Sequence, residues 1–312
     1  MIISVSRRTD VPNYFADWFF KRIEEGYLLV RNPINTHMVS KIDLSPAVVD
    51  CIVFWTKNPK PMLDRLDLLD KYSYYFQFTL TGYGKDVEPN IPDKLTEVIP
   101  TFKRLSERIG KEKVIWRYDP ILVNSKYTVE YHEHAFGRIA ESLSDYTEKV
   151  VISFVDLYAK TKRNTSALKL DPQSAESMLD VAGRFSRIAR EHGLIIETCS
   201  ESVDLSALGI KHGSCVDKDL IERILGRKIK CAKDSGQRKE CGCFESIDVG
   251  SYNTCSNACK YCYANFDTAA VSKNVAAYDV DSPMLCDNLR DGDKVYDRKM
   301  RSLKIGQMNF WD

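Results

Sequence analysis

The sequence of 312 residues has no long hydrophobic run and almost no net charge. It contains no stretch of about 18 apolar residues, which excludes a transmembrane helix. Its start, MIISVSRRTD, lacks the apolar segment that a secretory signal needs. The 45 basic and 44 acidic residues give a formal charge of +1, which argues against a protein that wraps nucleic acid. We therefore predict a cytoplasmic protein without membrane contacts.

A glycine-rich dinucleotide-binding motif is also missing after the first apolar run, which argues against a doubly wound sheet. Six apolar runs, separated by amphipathic helical segments, predict strands at Ile2–Val5, Cys51–Trp55, Tyr74–Leu80, Val114–Tyr118, Val150–Val155 and Leu194–Thr198. Strands that alternate with helices pair in parallel. We predict an α/β fold: a full or partial parallel (βα) barrel of six units over residues 1–215. A small, loop-rich and cysteine-rich appendage over residues 216–312 would cover its mouth.

Each predicted strand becomes polar or charged where it ends. In a (βα) barrel these ends meet at one rim, where catalytic groups lie. As groups that orient substrate or transfer protons we predict Arg8, Asp10, Asp119 and Glu197. As groups that bind a cofactor we predict Lys57, Thr79, Thr81 and Arg117. Salt-bridge partners inside a barrel would leave the same pattern, and this alternative stays open.

Arg117 is the sharpest of these candidates, because it lies between Trp116 and Tyr118 in an apolar run. Burying an unpaired charge is costly. The sequence therefore predicts an anionic partner for this arginine, either a carboxylate or a bound anion.

The ten cysteines are crowded toward the end of the chain, where seven lie between Cys231 and Cys286. Such crowding in a large intracellular protein indicates metal binding or catalysis rather than a disulfide framework. Cys255, Cys259 and Cys262 form a Cys-x3-Cys-x2-Cys motif, with Tyr261 before the last cysteine. Three thiolates on one loop can hold three irons of a [4Fe–4S] cluster and leave the fourth iron open.

This spacing resembles that of the radical S-adenosylmethionine superfamily. The resemblance implies that the open iron chelates S-adenosylmethionine and that an electron from a reductant such as flavodoxin or ferredoxin cleaves it. The resulting 5′-deoxyadenosyl radical would then attack a small-molecule substrate inside the barrel. In ordinary members the motif follows the first strand, whereas here it follows all six predicted strands. Superfamily rules for nucleotide contacts therefore do not transfer by position.

Nearly the whole chain is also similar to an uncharacterised bacterial family, domain of unknown function 1848. The similarity rests on SRRTD near the start, FWTKNP from Phe54, RYDP from Arg117, and QRKECGC followed by CKYCYAN. C-terminal cysteines like those of radical S-adenosylmethionine enzymes are noted for that family. The resemblance agrees with a cluster but supplies no substrate.

The remaining cysteines predict a possible second site. Cys241 and Cys243, together with Cys231, Cys199 and Cys215, could close a second cluster as an electron relay or a clamp. Alternatively, they are buried, unreactive thiols.

Three other interpretations also remain open. The protein could be a non-catalytic iron–sulfur electron carrier or sensor, or a barrel hydrolase stabilised by zinc. The basic segment Arg223–Lys239 leaves a nucleic-acid contact as a further alternative.

Overall fold

The computed structural model of the protein describes residues 1–172 and 174–305. Its strands are β1 Ile2–Val5, β2 Tyr27–Arg31, β3 Met38–Asp43, β4 Cys51–Thr56, β5 Tyr74–Thr79, β6 Val114–Ile121, β7 Lys149–Phe154, β8 Ile195–Thr198, β9 Lys211–His212, β10 Ile247–Asp248 and β11 Lys294–Asp297. Its α-helices are α1 Val11–Tyr14, α2 Ala16–Glu25, α3 Ile99–Ile109, α4 Val129–Leu143, α5 Ala159–Thr165, α6 Ala175–Glu191, α7 Lys218–Leu225 and α8 Thr268–Ala276.

The main sheet has the order β10-β1-β4-β5-β6-β7-β8-β9, and all its neighbouring strands are parallel. The six predicted strands are β1 and β4 to β8, so the predicted α/β class is confirmed. Within the described ranges β10 and β9 form the two edges, and the sheet is not closed. A closed barrel is therefore not formed.

The six predicted strands follow one another across the sheet in chain order. Right-handed crossovers that all step in the same direction bring their helices to the same face. On this helical face Phe54, Phe76 and Trp116 belong to one apolar core with Phe102 of α3 and Phe136 of α4. The stacked rings of Phe54 and Phe76 lie 4.6 Å apart between centroids.

The opposite face of the sheet is covered by the C-terminal half of the chain. Because side chains alternate along a strand, Val53, Tyr75 and Val151 point to this second face. They pack against Leu220 and Ile221 of α7. The second face of the sheet is therefore covered by α7.

The segment predicted as an appendage contributes strands to both sheets. Its strand β10 pairs with β1 in the main sheet, and β11 pairs with β3 in a small sheet of order β11-β3-β2. Residues 306–312 of the predicted appendage lie outside the described residues. In the described part of the chain, no helix is both long and apolar enough to cross a bilayer.

Candidate functional site

The loop of residues 254–262, called here the cysteine loop, lies against the carboxyl ends of β1 and β4. Asp10, which caps α1 just after β1, is buried and accepts hydrogen bonds from the Lys57 amide at 2.8 Å and from Asn257 Nδ2 at 3.0 Å. Tyr14 donates to Asn257 Oδ1 at 2.9 Å. Burial raises the pKa of Asp10, although these donors lower it. One buried carboxyl group thus joins the ends of two strands to the loop that carries the motif.

Glu88 forms a second anchor for the cysteine loop. Its buried carboxylate accepts from Lys57 Nζ at 2.7 Å, from Lys94 Nζ at 2.5 Å and from Thr81 Oγ1 at 3.0 Å. The Tyr261 hydroxyl donates to the same carboxylate. Burial alone raises the pKa of Glu88, but the two ammonium groups lower it to about 2. Because Tyr261 lies between the last two cysteines of the motif, this network anchors the cysteine loop to the segments that follow β4 and β5.

The three thiols of the motif lie close to one another in buried surroundings. Burial, together with the negative charges of Asp10 and Cys262, raises the pKa of Cys255 to about 12. Burial also raises the pKa of Cys259, with Cys255 and Cys262 adding to the effect, while the Lys57 ammonium lowers it. Among the described residues, no three His, Cys, Asp or Glu side chains are arranged around a single metal-ion position.

Arg8 also lies beside the cysteine loop. Its guanidinium sits 5.0 Å from the centre of the Tyr252 ring and donates to the Gly250 carbonyl at 3.3 Å. Arg8, Asp10, Lys57 and Thr81 are therefore the sequence-predicted residues that the fold gathers on this side.

Four of the other cysteines form a second group on the covered face of the sheet, called here the cysteine quartet. It consists of Cys199, Cys215, Cys241 and Cys243. The Sγ atoms of Cys199 and Cys215 are 3.1 Å apart. Cys243 is in hydrogen-bonding contact with Cys215 and Cys241, and this contact lowers the pKa of Cys241 to about 7.

Cys231, the fifth cysteine predicted for a second site, makes different contacts. Its Sγ contacts the carbonyl oxygens of Ala232 and Glu245.

Arg117 lies next to the quartet rather than next to the cysteine loop. Its guanidinium donates to Asp119 through Nε at 2.9 Å and to Cys215 Sγ through Nη1 at 2.8 Å. The predicted anionic partner is therefore present, in the form of Asp119. Ser153 donates to the second oxygen of that carboxylate. Thr79 is the register partner of Arg117 on β5.

Glu197 stands further along the sheet, on β8. Lys149 Nζ lies 2.9 Å from its carboxylate and 3.1 Å from that of Asp217. These two ion pairs join β7 and β8 to the start of α7. They agree with the alternative in which the polar residues at strand ends are salt-bridge partners. Glu197 therefore forms an ion pair, whereas Asp10 accepts hydrogen bonds from a backbone amide and from Asn257.

Several buried polar atoms near the cysteine loop have no hydrogen-bond partner among the described residues. They are Thr9 Oγ1, Asn58 Oδ1 and Asn265 Oδ1. Thr9 precedes Asp10, Asn58 follows Lys57, and Asn265 donates to the Cys255 carbonyl at 2.6 Å. Buried polar atoms are rarely left unpaired, so each of these three atoms is a candidate contact for a polar ligand.

Sequence reasoning did not identify Glu88, Lys94 or Asn257. Glu88 comes from the loop that follows β5, and Lys94 is the first residue of the short π-helix Lys94–Val98 that leads into α3. The only available signal for Asn257 was its position inside the cysteine motif.

Comparison with known proteins gives a family but no named activity. A search of curated proteins finds no match. Among solved structures, the chain is similar to one described as a putative alpha-L-fucosidase from Bacteroides thetaiotaomicron VPI-5482. The identity is 10%, the match covers 59% of this chain and 86% of that chain, and the TM-score is 0.29, which carries no argument. Residues 2–264 match the model of the family described as Domain of unknown function (DUF1848), so the chain belongs to that family.

Proposed function

We propose that the protein is a radical S-adenosylmethionine enzyme with a [4Fe–4S] cluster on Cys255, Cys259 and Cys262. The observation that carries the proposal is the docking of the cysteine loop. Its three thiols lie together at the carboxyl ends of β1 and β4, where unpaired polar atoms are also found.

The donor set fits such a cluster. In a cubane each thiolate binds its own iron, so the ligands need not converge on one ion position. Burial raises the pKa of Cys259, and the nearby Lys57 ammonium opposes this shift toward the neutral thiol. When bound, the cluster would supply the electron for the reductive cleavage of S-adenosylmethionine.

The chain's own residues would position S-adenosylmethionine. The unpaired atoms of Thr9, Asn58 and Asn265 are candidates for its polar groups. Lys57 and Thr81 are committed to Glu88, so they would hold the loop and help form the wall of the site. The catalytic roles of Arg8, Asp10, Asp119 and Glu197, and cofactor binding by Thr79 and Arg117, stay predictions.

The quartet favours a second, closed metal cluster. Four thiols meet on a buried face, and Arg117 donates to one of them. Cationic donors beside thiolate sulfur are among the groups that tune reduction potentials. We include in the proposal a cluster on Cys199, Cys215, Cys241 and Cys243, without Cys231, that passes electrons toward the open cluster.

The wider architecture of the proposal is a partial barrel over residues 1–215 and a cluster-bearing segment over residues 216–312. A cytoplasmic location and reduction by a flavodoxin or ferredoxin complete it.

The test is anaerobic purification of the full chain, followed by iron and sulfide analysis and electron paramagnetic resonance of the reduced protein. Addition of S-adenosylmethionine should change the resonance and release 5′-deoxyadenosine. Iron and sulfide without any cleavage product would favour the electron carrier or sensor. Zinc without sulfide would favour the zinc-stabilised hydrolase.

A further inference from the structure

A cleft of about 310 Å³ opens beside the cysteine loop. One wall contains Arg7, Arg8 and Asp248, at the carboxyl ends of β1 and β10, and the small sheet forms the opposite wall. Tyr263, which follows Cys262 directly, also lines the cleft and donates to the Arg7 carbonyl at 2.9 Å. A ligand in this cleft would therefore lie next to the proposed cluster.

Arginines dominate the charged lining of the cleft, where four of them face two aspartates. Arg31 forms ion pairs with two aspartates outside the cleft lining, Asp287 at 2.6 Å and Asp293 at 2.8 Å. Arg298 is exposed, and its side chain has no hydrogen bond or ion pair with the described residues.

Arg8 forms an ion pair with Asp248 but keeps most of its hydrogen-bond donors free. The Asp248 carboxylate accepts from the hydroxyls of Ser4 and Ser6 and from the amides of Arg7 and Gly250. Arg8 Nε is 3.9 Å from this carboxylate, beyond hydrogen-bond distance. Its one recorded hydrogen bond goes to the Gly250 carbonyl, so most of its five N–H donors are free.

The aromatic lining holds Arg8 in place and offers a flat surface. The Tyr252 ring packs against the Arg8 guanidinium and against the Phe266 ring, whose centroid is 5.5 Å away. A guanidinium held on a ring loses little conformational freedom when it binds an anion.

From this geometry we infer that the cleft binds the phosphate group of a small phosphorylated substrate. The guanidiniums of Arg8 and Arg298 have free donors, and they match a dianionic phosphate ester because each can donate two hydrogen bonds to it. The cleft volume is at the lower end of ligand sites, which fits a small organic phosphate. That the phosphorylated compound is a substrate rests on the proposed function, whereas its binding to the cleft does not.

The test is isothermal titration calorimetry on the full, anaerobically purified chain. The probes are ribose 5-phosphate, inorganic phosphate and uncharged ribose. We expect ribose 5-phosphate to bind and ribose not to bind. Arg8→Gln and Arg298→Gln should each weaken binding by about 10-fold or more, since each removes charged hydrogen bonds. Arg104→Gln, which changes an exposed arginine of α3, is the matched control and should leave binding unchanged.

Each outcome decides the inference. Inorganic phosphate that binds as tightly as the ester would identify the free ion as the occupant and overturn the assignment of an organic substrate. Equal affinities of wild type and both cleft variants for ribose 5-phosphate would overturn the assignment of a phosphate site to this cleft. Ribose that binds as tightly as ribose 5-phosphate would overturn it as well. Competition between ribose 5-phosphate and S-adenosylmethionine would assign the cleft to the cofactor and overturn the inference. Binding without any 5′-deoxyadenosine would refute the proposed function and leave the anion site standing.

Discussion

The cysteine loop and the cysteine quartet are held in two different ways. The loop is fixed by groups that contain no sulfur, since Asn257 bonds to Asp10 and Tyr261 bonds to Glu88. In the quartet the thiols contact one another, and the Sγ atoms of Cys199 and Cys215 are 3.1 Å apart. The loop therefore keeps its position without using its sulfur atoms, whereas in the quartet the sulfur contacts add to hydrogen bonds such as that from Ser214 Oγ to the Gly242 carbonyl at 2.7 Å.

This difference suggests a division of labour between the two groups. A site that exchanges ligands needs a position that does not depend on the bound group. A site that only closes a structure or passes electrons can rely on its own ligands. The four predictions below test this contrast, beginning with the largest effect.

Replacing all three motif cysteines should separate the two groups completely. We expect C255A/C259A/C262A to lose about four irons per chain and all release of 5′-deoxyadenosine, while the quartet keeps its metal. Iron analysis and mass spectrometry of the products provide the measurement. Cys231→Ala is the matched control and should retain wild-type iron and activity. Equal metal loss in the two proteins would contradict the assignment.

Removing the charge of Glu88 should destabilise the support of the loop. Glu88→Gln leaves Lys57 and Lys94 without their carboxylate, and breaking a buried ion pair costs about 3–5 kcal/mol. Chemical denaturation measures the free energy of unfolding. Glu24→Gln, at a side chain that is 76% exposed, should change it by less than about 1 kcal/mol. Similar values for the two variants would mean that the loop does not depend on this network.

Acid should weaken the aromatic packing behind Tyr261. Tyr83 contacts both the Tyr261 ring and the His132 ring. Because the Leu122 carbonyl can only accept, His132 Nε2 carries the proton and Nδ1 accepts from Tyr118 at 2.8 Å. Burial lowers the pKa of His132 to about 4.

As the pH falls, His132 therefore becomes protonated at a higher pH in the unfolded chain than in the folded chain. Stability from the neutral imidazole is complete above pH 6.5 and is lost toward pH 4, by about 3 kcal/mol. Unfolding free energies of wild type and His132→Gln at pH 7 and pH 4 provide the measurement. The same pH dependence in both proteins would contradict this account.

The smallest effect concerns one hydroxyl of the loop. Tyr261→Phe removes a hydrogen bond to a buried carboxylate and should cost about 1.5–3 kcal/mol. Tyr263→Phe removes only a bond to the Arg7 carbonyl from a half-exposed ring and should cost about 0.5–1.5 kcal/mol. Chemical denaturation of both variants compares the two bonds. A larger loss from Tyr263→Phe would reverse the proposed order of support.

Strands β1 and β4 to β8 of the main sheet were predictable because each is a short apolar run that ends in polar residues. The partner of Arg117 was predictable for a related reason, since a cation in such a run requires an anion. The hairpin of β2 and β3 escaped prediction, and so did the two-residue strand β10. The hairpin strands are neighbours in the chain and pair with each other, whereas β10 pairs with the distant strand β1.

The site was predictable only in part. Spacing along one loop identified Cys255, Cys259 and Cys262. Spacing cannot show which distant cysteines fold onto one face, so Cys231 could not be separated from Cys199 and Cys215. Glu88 and Lys94 carry no local pattern, because their role arises only when Tyr261 reaches them from the other end of the chain.

The pairing of β1 with β10 has a consequence for biosynthesis. Strand β1 is synthesised well before its outer neighbour β10, which consists of Ile247 and Asp248. Until then, one edge of β1 exposes unpaired amides and carbonyls to other chains. The motif thiols emerge only after that neighbour, so the nascent scaffold is almost complete before any of the three can capture metal.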